Sequence, residues 1–283
     1  MNRAGSSCGS VFGSGSTAPR LSVVICCRNE AEGLPSLLAD LALAADLVSE
    51  VLVVDGGSRD GSPALASLAG ARLLHAEPCR GAQLALGASR AEAPWLLLLH
   101  ADLRLPRHWP QLVLAAINSS RGPSSSSGPS GRRRPPVAWA FRLAIRDAGA
   151  ALRLVEAAVL LRCRLRQQPY GDQGLLLQAA SLEACGGIRP LPLMEDLDLV
   201  LRLGRLGPIQ LLAGAVLVSD RRWRRLGVWR TTWSNARLRW LWRRGASAEQ
   251  LAAFYRDGFS AAQEAYQKAQ RRCSGSSSQP CAR

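Results

Sequence analysis

Four short, mostly apolar runs, LSVVICC (21–27), VLVVD (51–55), ARLLH (71–75) and WLLLL (95–99), constrain this chain more than any other feature. None alternates apolar with polar residues, so a strand built from such a run is buried on both faces. Helical patterns lie between them. Leu34, Leu37, Leu38 and Leu41 recur at helical spacing. A second helix is marked by Ser62 as N-cap, Pro63 in its first turn and Gly70 near its end, and a third is read over Gln83–Ser89. Doubly buried strands alternating with helices specify an α/β fold with a parallel sheet covered on both faces.

In an open parallel sheet, ligands bind outside the carboxyl ends of the strands. Asn29 and Glu30 follow the first run, Asp55 closes the second, Arg80 follows the third, and His100 and Asp102 follow the fourth. Every strand thus delivers polar groups to one edge. That is why the Trp-Leu run ends in His100-Ala-Asp102 instead of an ordinary turn.

Residues 119–136, SSRGPSSSSGPSGRRRPP, cannot build a packed core and read as a low-complexity insertion. They divide a first half (20–118) from a second half (137–218). Residues 1–19 read as a disordered Ser/Gly-rich segment, and 219–283 as a basic, Trp-rich helical region. The second half contains the strand VAWAFRLAI, a helical stretch over 148–165, QPYGDQGLLL, LEACGGI with a Gly-Gly helix stop, and PLMEDLDLVLRLGRLG. In that last segment Leu197, Val200, Leu201 and Leu203 make an apolar helix face. Glu195 and Asp196 therefore fall in its N-terminal turn, where the helix dipole favours carboxylates. IQLLAGAVLV is the final strand.

The net charge of +15 needs its source stated, because Lys268 is the only lysine and the other 35 of 36 basic residues are arginine. Such a skew fits a GC-rich coding bias as well as phosphate binding. The eight cysteines form no CxxC pair and no Cys/His metal spacing, so they read as buried thiols in a reducing compartment. The first residues lack the apolar core of a signal peptide, and no stretch reaches the length of an uncharged membrane-spanning helix. The chain reads as cytoplasmic, with the inner face of the membrane as a further site of action.

SVVICCRNEAEGLPSLL, VVDGGSRDGS, LLLLHADLRLP and MEDLDL occur in the order seen in family 2 glycosyltransferases. With PYGDQG and SDRRW, the chain resembles a bacterial subgroup of that family whose metal motif reads His-Ala-Asp in place of Asp-x-Asp. The resemblance covers about residues 21–256. It implies the GT-A fold: a mostly parallel, Rossmann-like sheet with helices on both faces, followed by C-terminal helices. It also implies a hexosyltransferase-like enzyme that moves a sugar, with inversion, from a nucleotide diphosphate donor. UDP is the first expectation and GDP the second.

The implied chemistry matches the residue types. Charge building on a diphosphate leaving group is neutralised by a divalent cation held on carboxylate oxygens, Mg²⁺ or Mn²⁺. Asp102 is the expected ligand, and His100 is expected to touch the diphosphate or the metal's water shell. The acceptor hydroxyl must lose a proton as it attacks, which requires a placed carboxylate. By resemblance Asp196 is that base and Glu195 its neighbour. Glu30 is expected near the ribose, Asp55 near the base, and Arg80 near the base or diphosphate. Asp172 of PYGDQG is expected to contact substrate. In SDRRW, Arg222 would hold the diphosphate and Trp223 would stack on an acceptor sugar, while Ser219 stands where processive members carry Gln.

The acceptor is not specified by these motifs; saccharide and lipid-like molecules both suit them. Trp229, Trp233, Trp240 and Trp242 interleave with Arg, a composition that suits an anionic membrane surface and equally a helical cap packed on the domain. Two competing functions are weaker. A nucleotidyltransferase on a related sheet would carry a Gly-rich loop after the first strand, where CCRNEAEG stands. Single-stranded nucleic acid would suit the Arg/Trp tail, but not the carboxylates at the strand ends.

Overall fold

The computed structural model describes residues 20–120 and 134–255. The expected N-terminal segment 1–19 lies outside the described residues, as do 121–133 of the insertion and everything beyond 255. One eight-stranded sheet runs through both halves in the order β3-β2-β1-β4-β7-β6-β8-β5. The four runs identified in the sequence are β1 (Leu21–Cys27), β2 (Val48–Asp55), β3 (Arg72–His75) and β4 (Trp95–His100), all mutually parallel where they pair. The second half supplies β6 (Ala138–Ile145), β7 (Leu175–Gln178) and β8 (Ile209–Val218), with β5 (Leu103–Arg104) as a two-residue edge strand. β7 lies antiparallel between β4 and β6, and β5 lies antiparallel to β8. Parallel pairing returns at β6–β8.

Burial on both faces explains three of the four runs; the expectation fails for β3, an edge strand with Arg72 and His75 exposed and Leu73 and Leu74 half-buried, because only β2 covers it. Leu21, Val23, Ile25 and Cys27 of β1, with Leu97 and Leu99 of β4, face one core layer. Into it pack Leu34, Leu37 and Leu41 of α1 (Leu34–Ala42), Trp109 and Val113 of α4 (Trp109–Ser120), and Leu152 of α5 (Ala150–Arg166). The intervening residues Val24, Cys26, Leu96 and Leu98 face the other layer. There they meet Leu84 of α3 (Arg80–Arg90), Leu182 of α6 (Ala179–Ala184), and Leu199, Val200 and Leu203 of α7 (Glu195–Leu206). Each fully buried aliphatic side chain contributes roughly 1.5–3 kcal/mol.

One buried acid ties the outer helices to the sheet. Asp40 accepts two bonds from the Arg104 guanidinium, at 2.7 and 2.8 Å, and one from Leu105 N at 3.0 Å. Its own carbonyl accepts the Trp109 indole N–H at 2.9 Å. Helix α2 (Ser62–Leu68) begins one residue earlier than the sequence indicates, with Gly61 as N-cap and Ser62 inside. The side chain that bonds the first turn is Asp60, whose Oδ1 accepts from Ser62 N at 3.0 Å.

After β8 come α8 (Arg221–Leu226) and α9 (Val228–Arg243), which pack on the first core layer through Trp223 and Val228. No helix among the described residues is long and apolar enough to cross a membrane.

Candidate active site

Register carries the predicted strand-end residues to one edge. Cys27 pairs with Asp55 across β1–β2, Cys26 with His100 across β1–β4, and Asp55 with His75 across β2–β3. Two loops at that edge are stitched together by side-chain bonds to backbone. Asn29 N donates to Ser58 Oγ at 2.8 Å, and Arg59 N donates to Asn29 Oδ1 at 2.8 Å. Ala31 N donates to Asp60 Oδ2 at 3.0 Å, and Glu30 N to Ser62 Oγ at 2.9 Å. Asn29 takes the left-handed conformation (φ 53°) that a short polar side chain tolerates.

Asp55 is buried, and its Oδ2 accepts Gly57 N and Ser58 N, each at 3.0 Å, while Oδ1 accepts the Ser58 hydroxyl. It holds the DGGS turn. Gln83, which the sequence did not single out, does the same from below. Its buried amide donates to Cys27 O at 2.7 Å and Val54 O at 2.8 Å, closing the ends of β1 and β2.

Glu30 receives Arg221 Nη2 at 2.7 Å, so the start of α8 reaches back to the β1 loop. Burial pushes the Glu30 carboxyl up, and the Arg221 bond pulls it back. Arg221 is a guanidinium at this edge that the sequence did not single out; the side chain of Arg222, expected at the diphosphate, lies outside those described. Trp223 is half-buried against the first core layer, packed on the sheet as part of the domain. Asp102 is half-buried beside this loop. A Cβ placed on Gly33 would stand 3.2 Å from Ala101 O, 3.4 Å from Asp102 Cα and 3.6 Å from Glu30 Oε2, so the loop after β1 lies closely against the residues that follow β4.

A pocket with about 410 Å³ of empty volume, part of it open to solvent, lies beside this edge. His100, Tyr170, Gly171, Glu195 and Asp196 are among its lining residues, with Leu98 and Val200, and the surface it exposes is almost wholly apolar. Met194 turns left-handed (φ 67°) immediately before α7, and that turn starts the helix at the pocket wall. Asp196 is half-buried there. Its Oδ2 accepts Gly171 N at 2.9 Å and its Oδ1 accepts Leu197 N at 2.7 Å. Gly171 has no room for a side chain, because a Cβ would stand 2.8 Å from His100 Nε2 and 3.5 Å from Asp196 Cβ. Gly171 therefore lies between His100 and Asp196, close against each of them.

Glu195 is 4% exposed, and burial together with the Asp196 charge pushes its carboxyl up to about 7, with Arg80 pulling the other way. Arg80 opens α3 half-buried; burial works against its charge, and Glu195 and Asp196 are among the groups that more than restore it. Thus Arg80, expected beside the nucleotide, faces the two carboxylates of α7. Close packing brings it there: a Cβ on Gly81 would lie 2.6 Å from both Arg189 O and Leu191 N.

Asp172 sits in the single 3-10 turn Gly171–Gln173, and its charge is felt by Arg239 of α9. The turn is anchored by buried Gln173, whose amide donates to Phe141 O at 2.8 Å while its Oε1 accepts from Tyr170 N at 3.3 Å. That glutamine belongs to the PYGDQG motif but was not identified as a contributor.

Comparison with known proteins fits this architecture. Residues 22–124 match the family model described as "Glycosyl transferase family 2". The sheet and its helices have the GT-A fold. TarS 1-349 from S. aureus is 16% identical, with 71% of this chain and 60% of that one covered and a TM-score of 0.54. Glucosyl-3-phosphoglycerate synthase from Mycobacterium tuberculosis, solved with Mg²⁺ and uridine diphosphate, is 18% identical over 81% of this chain and 82% of that one, with a TM-score of 0.51. A TPR repeat-containing protein of Synechococcus elongatus is 40% identical over 93 residues, which are 32% of this chain and 22% of that protein. The chain therefore spans about a fifth of this curated relative and three-fifths of the TarS chain.

Proposed function

We propose that the protein is a family 2 glycosyltransferase that moves a sugar from a nucleotide diphosphate donor to an acceptor hydroxyl, with inversion. The observation that carries this reading is the convergence of His100 and Asp196 on Gly171 at one pocket, beside the loops of Glu30 and Asp102. UDP is the favoured nucleotide because fold neighbours hold it: TarS was solved with UDP and with UDP-GlcNAc, and the M. tuberculosis synthase with UDP and Mg²⁺.

In the transfer, the acceptor oxygen forms a bond to the anomeric carbon while that carbon's bond to the diphosphate oxygen breaks. The electron pair leaves with the nucleoside diphosphate, and the acceptor proton passes to Asp196. The Gly171 and Leu197 amides orient the Asp196 oxygens without occupying every lone pair. Glu195 and Arg80 hold the start of α7 from behind. Glu30, steadied by Arg221, is assigned to the ribose. Asp55 acts by shaping the DGGS turn beside the base, and His100 is assigned to the diphosphate.

Among the described residues no three His, Cys, Asp or Glu side chains cluster closely enough to hold a metal by themselves. A protein cage of the zinc type is therefore a poor fit. Mg²⁺ or Mn²⁺ bound through one carboxylate, with substrate phosphates and waters completing its shell, is a good one. Asp102 would hold it, and the ion would supply charge neutralisation for the departing diphosphate.

A thermal-shift comparison tests the donor site, because a ligand bound only by the folded state raises the melting temperature. UDP with Mg²⁺ or Mn²⁺ is expected to stabilise the protein, and EDTA to remove most of that gain. Asp102→Ala should erase the metal-dependent part. Metal dependence identical to that of the unaltered protein would remove Asp102 as ligand.

A peripheral membrane location is favoured by α9. Trp229, Trp233 and Trp240 are 66%, 78% and 52% exposed. At 100° per residue they fall within about 40° of one another, on the side opposite buried Thr231 and Leu238. Arg230, Arg237 and Arg244 flank them, which suits anionic headgroups. Losing about 50 Å² of inserted apolar surface weakens binding roughly tenfold at 25 cal/mol/Å². Trp233→Ser should show that loss in co-sedimentation with phosphatidylglycerol vesicles; equal binding by both proteins would discard the membrane contact.

A further inference from the structure

Five arginines are half-buried among the described residues: Arg80, Arg104, Arg162, Arg202 and Arg239. Three of them face a carboxylate. Arg104 is paired with Asp40, Arg202 with Asp198, and Arg80 lies in the field of Glu195. Arg162 and Arg239 have no acidic partner within ion-pair distance among the described residues. They come from helices α5 and α9 and converge on one ring: the guanidinium carbon of Arg162 is 3.7 Å from the Tyr170 ring centre, and that of Arg239 is 5.5 Å. Arg243, one turn beyond Arg239, donates to Gln168 Oε1 at 2.8 Å.

Three like charges thus gather on the Gln168–Tyr170 segment. Burial lowers the Arg239 pKa, Arg162 and Arg243 lower it further, and Tyr170 and Asp172 offset part of this. Neutral bonds hold Arg162 in place, through Gln168 O at 3.0 Å and Gln173 Oε1 at 3.3 Å, but leave its charge uncompensated. The Tyr170 hydroxyl is buried with no hydrogen-bond partner among the described residues. Such an arrangement is costly unless an anion completes it, and planar guanidinium groups match the oxygens of a phosphate well. Three positive charges suit a dianion better than a single carboxylate.

The position of the cluster gives it a role. Tyr170 and Gly171 line the pocket that also contains Asp196, and Gly171 N bonds Asp196 directly. The cations of the donor edge, Arg221 with Glu30, belong to other loops. We infer that Arg162, Arg239 and Arg243 form a subsite for a phosphate group on the acceptor, holding it so that its hydroxyl faces Asp196. This rests on the transferase reading above and adds the chemical class of the acceptor. The phosphate is carried either by a small soluble ester or by a lipid headgroup, and the chemistry that binds it is the same.

The full chain, first saturated with UDP and Mg²⁺ so that the donor side is filled, is titrated calorimetrically with inorganic phosphate. Unaltered protein is expected to bind it. Arg239→Gln should weaken that binding by about tenfold or more, and exposed Arg243→Gln should weaken it less, while Arg239→Lys restores part. UDP binding should be retained in all three. Equal phosphate affinity in Arg239→Gln and the unaltered protein overturns the subsite, as does absence of phosphate binding where UDP binds. Failure of UDP to bind instead overturns the donor reading, and the Arg239→Gln response to phosphate still decides the anion site. Vesicles containing phosphatidic acid separate the sources. Weakened vesicle binding by Arg239→Gln assigns a lipid headgroup, whereas an effect confined to inorganic phosphate assigns a soluble ester.

Discussion

Asp196→Asn is expected to lower sugar transfer about 10³-fold while changing UDP affinity by less than about twofold, the signature of a lost general base. The substitution keeps the size of the side chain and can keep one backbone bond, to Gly171 N or Leu197 N. It cannot take a proton from the acceptor. The same variant has a second readout, in the dependence of stability on pH. Glu195 is 4% exposed with its carboxyl pushed up to about 7, so it binds its proton more tightly folded than unfolded. That preference stabilises the fold fully below the unfolded value and is lost as pH rises through about 7, a change on the order of 3 kcal/mol. The Asp196 charge is one cause of the shift, so removing it should move the decline in melting temperature to lower pH. Loss of transfer together with loss of UDP binding would make Asp196 a structural residue. An unmoved stability profile would show that the two carboxylates do not interact.

The first half of the fold was legible because its signals are local. Three of the four apolar runs are inner strands, ARLLH forms the edge strand β3 instead, and parallel pairing carries Glu30, Asp55, His100 and Asp102 to one edge. The carboxylates of α7 were legible for a similar reason, since the apolar spacing of Leu197, Val200 and Leu203 fixes where the helix starts. What escaped is set by contacts distant in sequence. β7 enters antiparallel between β4 and β6 through backbone pairing that LLLQ does not announce. Arg80 faces Glu195 because Gly81 lets α3 press on residues 189–191. That Arg221 reaches Glu30 depends on the rotation of α8 about its axis, of which a run of arginines carries no record. Arg162 and Arg239 meet over Tyr170 from helices far apart in the chain.

Asp198→Ala carries the largest expected cost in stability, about 3–5 kcal/mol, because it leaves a buried guanidinium without its counter-charge. Asp198 is 7% exposed, and its Oδ2 accepts Arg202 Nε at 2.9 Å, with Arg202 Nη2 in ion-pair contact 2.7 Å away. Its Oδ1 accepts Arg189 Nη1 at 3.1 Å. Arg202 in turn donates to Cys185 O at 2.6 Å and Gly187 O at 2.7 Å, at the left-handed Gly-Gly turn that ends α6. One carboxylate therefore joins α7, the end of α6 and the segment leading to Leu191. At roughly 2–4 °C per kcal/mol for a chain of this size, the melting temperature should fall by about 10 °C or more. The paired change Asp198→Leu with Arg202→Met should recover much of the loss, since replacing both ions by apolar groups removes the uncompensated charge. Recovery should stop short of complete, because the carbonyls of Cys185 and Gly187 then lose their donor. A fall of only about 3 °C in Asp198→Ala would mean that water takes over the carboxylate's bonds, and that the start of α7 is held chiefly by its apolar face.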